Sequence, residues 1–305
     1  SKVMQKKLIR NSDVTISTQL YEMLKFEKYH GAGNDFIIMN EKDLIEKGIP
    51  DYNELAKQVC DRHFGIGADG LLILKYVANM PFMFYYNSDG SQAPMCGNGI
   101  RCFSNYLRNN NVEQENSFIV KTLSGDLFIE TNMDEEESRF SVKVNMGKPI
   151  FEVKKLINTD KERFLKEKIN IDGKEIEISY IFMGTDHSVI FVDDFSEYDI
   201  DDLGKKIENY TELFPKKVNV NFVKVTDRNN MEVITWERGA GRTLACGTGA
   251  TASAVLGRMF DLTDEKVNVK VPGGQLTIEY SQEGDDAFMT GPSEKIAEGN
   301  YIYKR

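Results

Sequence analysis

The sequence predicts an α/β (α+β) protein assembled from two copies of one fold, and three observations carry that expectation. The first is an internal repeat. "GNDFIIMN" from Gly33 resembles "GTDHSVIF" from Gly184, 151 residues on. "MCGNGIRCFSNYL" resembles "ACGTGATASAVL", with Cys96 and Cys246 150 residues apart. "KTLSGDLFIE" from Lys121 resembles "KVPGGQLTIE" from Lys270, 149 residues on. Three matches in the same order at nearly one offset are hard to attribute to chance. The second observation is period-two alternation of apolar residues in both halves, the signal of half-buried strands. The third is a switch to helical spacing after each Cys-Gly-x-Gly.

In chain order, the alternating segments of the first half are "DFIIMN", "LLILKY", "FMFYYN", "SFIVKT" and "FSVKVNM". Those of the second half are "EISYIFMG", "VIFVDDF", "VNVNFVKV", "MEVITWE", "VNVKV" and "LTIEYS". "LSGD" and "PGGQ" read as hairpin tips, with glycine supplying the positive φ that such turns need. Ile100, Phe103 and Leu107 follow Cys96, and Ala250, Ala254 and Val255 follow Cys246. Each Cys is therefore expected at a strand-to-helix junction, on the first turn of a helix. One copy ends near "NMGKPIFEV" (residues 145–153). Outside the repeat, "NTDKERFLKEK" (158–168) is expected as a surface helix and "DIDDLGKKIENY" (199–210) as a second helix. The acidic "MDEEES" reads as a solvated turn.

A chain of 305 residues suits two domains of ordinary size. The composition is globular, 41% hydrophobic and 28% charged, and no apolar run approaches the roughly 18 residues of a membrane span. Net charge is −10. An acidic chain without a Lys/Arg block argues against nucleic-acid and membrane partners and leaves a small ligand as the expectation. The four cysteines (Cys60, Cys96, Cys102, Cys246) show no CxxC spacing, and His30, His63 and His187 are scattered. Neither a disulfide framework nor a structural zinc site is expected, and a reducing, cytoplasmic setting is. The first residues lack the apolar core and cleavage site of a secretory signal. Residues 1–22 are read as an N-terminal extension or a segment added in cloning, with Met23 as a natural start.

Two cysteines at two helix N-termini suggest a particular chemistry. A helix N-terminus offers free N–H groups and partial positive charge, which bind anions and favour thiolate over thiol. Glycines beside each Cys let the backbone approach a ligand. Two such units facing each other across a cleft would hold one carboxylate and set sulfurs on opposite sides of the adjacent carbon. That arrangement suits removal of a proton from one face of the carbon and its return to the other. Taken singly, a Cys before a Gly-rich turn is more often a packing residue. It is the duplication that shifts the balance. Cys60 and Cys102 have no counterpart in the other half and are read as packing residues.

"YHGAGNDFI", "NSDGSQAPMCGNGIRC" and "WERGAGRTLACGTGA" closely resemble the signature regions of diaminopimelate epimerases, from about Phe26 to the C-terminus. The resemblance implies two pseudo-symmetric domains, each a curved mixed β-sheet wrapped around a central helix, with the active site in the interdomain cleft. It also implies domains over 23–146, joined by the C-terminal 293–305, and over 147–292. The implied activity is cofactor-independent interconversion of LL- and meso-diaminopimelate on the way to lysine and peptidoglycan. Neither metal nor pyridoxal phosphate is implied, and a homodimer is left open. By position, Cys96 and Cys246 match the catalytic pair, and Gly97, Asn98, Gly247 and Thr248 the cradle for the reacting carboxylate. Asn34, Asn87, Asn219 and Arg238 match residues that hold the far amino-acid group. Glu237 matches a residue that orients the reacting end, and His187 one near the second thiol. Two departures bear on the far end. Gly184-Thr185-Asp186-His187 stands where Gly-Asn-Pro-His is usual, so Thr185 replaces a substrate-contacting Asn, and Arg242 stands where an acid is common.

Alternatives remain at this point: a racemase of histidine, proline or hydroxyproline, a Cys-nucleophile hydrolase or transferase, or a non-catalytic anion-binding module. A hydrolase would depend on one Cys and form an acyl intermediate. The paired Cys at matched positions favours the epimerase.

Overall fold

The computed structural model describes residues 2–4 and 20–304. Most of the expected N-terminal extension, residue 1 and residues 5–19, lies outside the described residues. The first half runs β1 (Lys2–Met4), β2 (Leu20–Gly31), β3 (Asn34–Asn40), α1 (Glu41–Glu46), α2 (Tyr52–Cys60), β4 (Gly70–Val77), β5 (Met80–Asn87), β6 (Gln92–Ala93), α3 (Gly97–Asn109), β7 (Ser117–Thr122), β8 (Gly125–Asp134) and β9 (Arg139–Gly147). The second runs β10 (Glu167–Ile171), β11 (Lys174–Phe182), β12 (Asp186–Phe191), α4 (Ile200–Glu208), β13 (Asn219–Asp227), β14 (Asn230–Glu237), β15 (Gly241–Arg242), α5 (Gly247–Met259), β16 (Lys266–Val271), β17 (Gly274–Glu279), β18 (Ala287–Pro292) and β19 (Glu294–Lys304). β2 begins at Leu20, ahead of Met23.

The repeat is visible in the pairing. β3 and β4 are parallel, β4 and β5 antiparallel, and β5 and β7 parallel. β12, β13, β14 and β16 repeat that order and those directions. Each half then continues through two antiparallel pairs, β7–β8–β9 and β16–β17–β18. β9 and β18 pair antiparallel with each other and form the seam between the halves. After the seam the chain returns: β19 pairs along β2, from Glu294 opposite His30 to Lys304 opposite Tyr21.

Central strands are apolar on both faces because each sheet has a helix layer on either side. Phe36, Ile38, Leu72 and Leu74 face inward and share one core with Ile100, Phe103 and Leu107 of α3. Ile37, Met39, Leu71 and Ile73 face outward against Leu55 and Val59 of α2. In the second half the outer face of the sheet packs on Leu203 and Ile207 of α4. Val255 and Leu256 of α5 join the same inner core as α3, so both central helices sit inside one continuous apolar interior. The sheets wrap these two helices, and α3 and α5 are each 13 residues long.

The hairpins at "LSGD" and "PGGQ" join β7 to β8 and β16 to β17, with Gly125 and Gly274 at positive φ. "MDEEES" is exposed throughout, Met133 and Asp134 ending β8 and the remaining four residues forming the turn before β9. The helix expected over 199–210 is α4, opened by the Asp199 side chain accepting from the Asp202 N–H. The helix expected over 158–168 does not form. Phe164 within it and Ile157 just before it are buried in the second-half core, while Asn158 N–H donates to Leu213 O and Tyr180 N–H to Phe164 O. Lys166 adopts φ +50, which breaks helical continuity, and β10 begins at Glu167. Tertiary packing of two apolar side chains overrides a charged, weakly periodic run.

Candidate active site

Both cysteines lie one residue before a helix rather than on its first turn. Cys96 is the extended residue capping α3 and Cys246 caps α5, neither making a side-chain capping bond. No acidic side chain occupies either first turn, so the N-terminal N–H groups keep their partial positive charge. The two termini meet. A Cβ built on Gly97 would lie 3.5 Å from the Cα of Gly247, and one on Gly247 would lie 3.4 Å from the Cα of Gly97. Met289 of β18 closes the space beneath, its Sδ 2.9 Å from a Cβ at Gly247. A side chain at either position would press on Met289, whose methyl lies 3.1 Å from a Cβ at Gly97.

A cavity of about 900 Å³ opens above this contact, lined from both halves. Of the expected residues, Asn34, Asn87, Cys96, Gly97, Asn98, Glu237, Arg238, Cys246, Gly247 and Thr248 line it. Asn219, His187 and Thr185 do not; they stand behind it and hold residues that do. Asn219 accepts the Arg238 backbone N–H on Oδ1 (2.8 Å) and donates to Asp186 O (2.9 Å). Thr185 accepts from the Arg238 guanidinium (3.2 Å). Asp186, 6% exposed, pairs with the same guanidinium (3.3 Å) and accepts from the Tyr180 hydroxyl. So where Asn-Pro is usual, Thr185-Asp186 here fixes one side of Arg238.

On the first-half side, Asn98 links the two halves. Its amide donates to Asn34 Oδ1 (3.1 Å) and to Ala245 O (3.2 Å), while its Oδ1 accepts from Arg101 (2.7 Å). Asn34 in turn donates to Asp69 (2.7 Å), and the Cys96 thiol donates weakly to Asn34 Oδ1 (3.8 Å). Asn87 is held by the Tyr85 hydroxyl (2.6 Å) and by Ser91 (3.0 Å). One edge of the cleft is packed shut: a Cβ on Gly273 would fall 1.9 Å from Ala32 O, and Gly273 N–H donates to Leu244 O (2.7 Å).

On the second-half side, a chain of hydrogen bonds fixes a histidine tautomer. The Thr235 hydroxyl donates to Asn221 Oδ1 (2.7 Å), leaving the Asn221 amide to donate to His187 Nδ1 (3.0 Å). His187 Nε2 therefore carries the proton and donates to Thr248 Oγ1 (2.8 Å). Thr248 lies 3.6 Å from the Cys246 sulfur and is left to donate to it. Burial, assisted by the Arg238 charge, pushes the His187 pKa down to about 3, so it is neutral.

Burial also raises both thiols. It pushes Cys96 up to about 11, with the Glu237 carboxylate adding to the rise and N–H donation from Gly99 and Asn98 and the charge of Arg101 working against it. Cys246 is raised well above the usual thiol range by burial and then by the Glu237 carboxylate. Glu237 itself is raised by burial, with hydrogen bonds from Thr243 and Cys246 pulling the other way. Cys60 and Cys102 are buried and pushed up to about 12 by burial first, in keeping with packing roles. Among the described residues no group of three or more His, Cys, Asp or Glu is placed to hold a metal ion, and no helix is long and apolar enough to cross a membrane.

The family model described as diaminopimelate epimerase matches residues 26–152 and 179–296, one stretch from each half of the repeat. The chain belongs to the diaminopimelate epimerase family. A relative named diaminopimelate epimerase from Alkaliphilus metalliredigens is 43% identical over 92% of this chain and 98% of its own length. One of the same name from Methanothermobacter thermautotrophicus is 37% identical over 91% and 98%. Among solved structures, a Bacillus anthracis phenazine biosynthesis protein of the PhzF family superposes with a TM-score of 0.66 at 13% identity, covering 92% of this chain and 99% of that one. A probable proline racemase from Agrobacterium radiobacter K84, with bound carbonate, gives 0.66 at 12%, covering 90% and 92%. The diaminopimelate epimerase family thus shares its two-domain fold with proteins of distant sequence.

Several cavity residues of this family member escaped the sequence reading: Asp69, Tyr85, Thr243 and, behind them, Arg101, Asn221 and Thr235. The repeat carried a signal for some. Tyr85 is the counterpart of Thr235 at the 150-residue offset, and the strand pairing bears this out, Tyr85 lying opposite Leu72 and Thr235 opposite Asn221.

Proposed function

We propose that this chain interconverts LL- and meso-diaminopimelate by proton transfer between Cys96 and Cys246, without metal or pyridoxal phosphate. The observation that carries the reading is that the two cysteines head two helices whose first glycines touch within one cavity. A substrate α-carboxylate placed on the N–H groups of Gly97, Asn98, Gly247 and Thr248 has its α-carbon between the sulfurs. One thiolate takes the α-proton and becomes a thiol. The electron pair stays on the carbon and its carboxylate, where the helix N–H groups stabilise it. The opposite thiol delivers its proton to the other face and becomes the thiolate. Each turnover leaves the pair with exchanged roles.

Burial disfavours thiolate in the empty cavity, so the cationic α-ammonium of an entering substrate favours ionisation next to it. At the far end, Asn34, Asn87 and Arg238 are placed to meet a second amino-acid group, with one side of the Arg238 fork already held by Thr185 and Asp186. Relatives named for this activity align over nearly their full length, which supports the same substrate here. A role in lysine and peptidoglycan precursor synthesis, a cytoplasmic location and assembly as a homodimer belong to the same proposal and rest on the family resemblance.

The test is α-hydrogen exchange in D2O with LL-diaminopimelate against histidine, proline and hydroxyproline. Diaminopimelate is expected to exchange fastest, and Cys96→Ser and Cys246→Ser each to lose at least about a thousandfold in inversion. Faster exchange on another amino acid would move the assignment to a racemase. A trapped acyl-enzyme with dependence on one Cys alone would replace it with a hydrolase.

A further inference from the structure

The repeat makes the two reacting cysteines equivalent by position, and Arg101 is where that equivalence ends. On α3 it lies five residues after Cys96; the matching residue on α5 is Thr251. Both side chains perform one shared task. Thr251 donates to Gly247 O (2.8 Å) and Arg101 to Gly97 O (3.2 Å), the carbonyl one turn back in each helix. A hydroxyl is enough for that bond, so the guanidinium charge is the difference between the halves.

That charge is expensive to keep. Arg101 is fully buried, and its other contacts are Asn98 Oδ1 (2.7 Å), Pro292 O (3.1 Å) and the Met289 sulfur (3.8 Å). Among the described residues no carboxylate forms an ion pair with it. A buried cation without a counter-ion is disfavoured in general. Room for it is made by two glycines: a Cβ on Gly31 would lie 3.0 Å from its Nη2, and one on Gly291 2.7 Å from its Nε. Neither glycine has positive φ, so what they supply is space. Burial pulls Arg101 down to about 10, which leaves it charged near neutral pH.

The groups facing the two sulfurs differ accordingly. Cys96 faces Arg101 and the N–H groups of Asn98 and Gly99 on α3, Asn34 on β3, Tyr85 on β5 and Glu237 on β14. Cys246 faces Glu237, the Thr248 hydroxyl, the Gly249 N–H and the Cys96 sulfur, with neutral His187 behind Thr248. Cys102, the other group beside the guanidinium, stays a neutral thiol. Arg101 bonds the carbonyl of the residue that follows Cys96, while the Glu237 carboxylate acts on both thiols and shares a hydrogen bond with Cys246 alone.

We propose that Arg101 makes Cys96 the more acidic thiol of the pair, so that Cys96 ionises first while Cys246, beside Glu237, keeps the proton. Arg101 acts through the first turn of α3 and is a positioning residue that never touches substrate. The inference deepens the two-thiol reading and rests on it for its meaning, but its test needs no turnover.

The experiment is peptide-resolved alkylation of the free full-length enzyme by iodoacetamide as a function of pH, read separately for the two cysteines. The alkylation midpoint of Cys96 is expected about one pH unit or more below that of Cys246. In Arg101→Gln the Cys96 midpoint rises by about one unit while that of Cys246 holds, and Arg101→Lys keeps the wild-type order. A wild-type Cys246 midpoint below that of Cys96 overturns the proposal, as does an Arg101→Gln shift that is absent or equal at both thiols. Where Arg101→Gln does not fold, the wild-type order and Arg101→Lys decide, and inversion of the order in either overturns it. Loss of catalytic inversion dependence on one cysteine, with the midpoints ordered as stated, would fault the two-thiol reading and leave this one standing.

Discussion

His187 has the residue type of a general base, yet its surroundings make it a donor. Asn221 occupies Nδ1 and Thr248 receives the Nε2 proton, so the ring's part is to hold the Thr248 hydroxyl toward Cys246. Its pKa is lowered, so the unfolded chain binds a proton that the folded protein refuses. Stability from this group is complete above the unfolded value near 6.5 and is lost as pH falls from there toward about 3. Denaturant titrations between those limits should show a slope that His187→Gln flattens, and an unchanged slope would refute the buried neutral ring. For the same reason the pH profile of kcat/KM should carry no inflection near 6.5 from this residue. Thr248→Val is expected to lower kcat by about tenfold with little change in KM, since it removes a hydrogen bond to sulfur and leaves His187 unpaired. Equal kcat in that variant would show that the hydroxyl is idle. His187 was placed near the second thiol by resemblance, whereas Asn221 and Arg101 were not legible. An Asn inside a strand and an Arg inside a helix read as solvated positions until tertiary packing shows them to be buried.

Among the elements, α3 and α5 were the most legible because the glycines that let them touch are written next to the cysteines. Gly247→Ala would set a methyl 2.9 Å from Met289 Sδ and 3.4 Å from Gly97. The expected result is a loss of at least about a hundredfold in kcat/KM, partly restored when Met289→Ala is added. A double variant no better than the single one would mean that the helix-to-helix contact matters more than the sulfur beneath. Central strands were legible as near-continuous apolar runs. β10 was not, because the charged stretch before it is ordered by contacts from Val153, Leu213 and Tyr180 that local spacing does not encode. α2 and the turn after it went unread for a similar reason: their purpose is to bring Arg62 to Asp35 and Asp69. Burial works against the Asp35 carboxylate, but the Arg62 fork, Asp69 and Lys28 outweigh it and hold its pKa well below the usual range. The stability it confers is present above about pH 4 and declines as pH falls further. Asp35→Asn should cost about 2 kcal/mol at neutral pH and almost nothing in strong acid, a difference that melts at two pH values would reveal.

At the scale of the molecule, the first half is completed only by the last strand of the chain. β19 covers β2 along its length, and Tyr301 and Tyr303 pack on the core that contains Leu24, Ile37 and Val59. Removing residues 294–304 should leave β2 unpaired on that side and yield aggregated or partly unfolded protein by circular dichroism and size-exclusion chromatography. A monomeric, native-like truncation would show that the strap is dispensable. The seam has a different consequence. β9 against β18 is the pairing that two separate copies of one half would make about a two-fold axis, and such a dimer would already bring two helix-capping cysteines to one cavity. Strict symmetry, however, would oblige its two thiols to be chemically degenerate. Joining the halves in a single polypeptide lifts that degeneracy: one side can carry Arg101 and Asn34, the other Thr251 and His187, and the surroundings of the two thiols become separately adjustable.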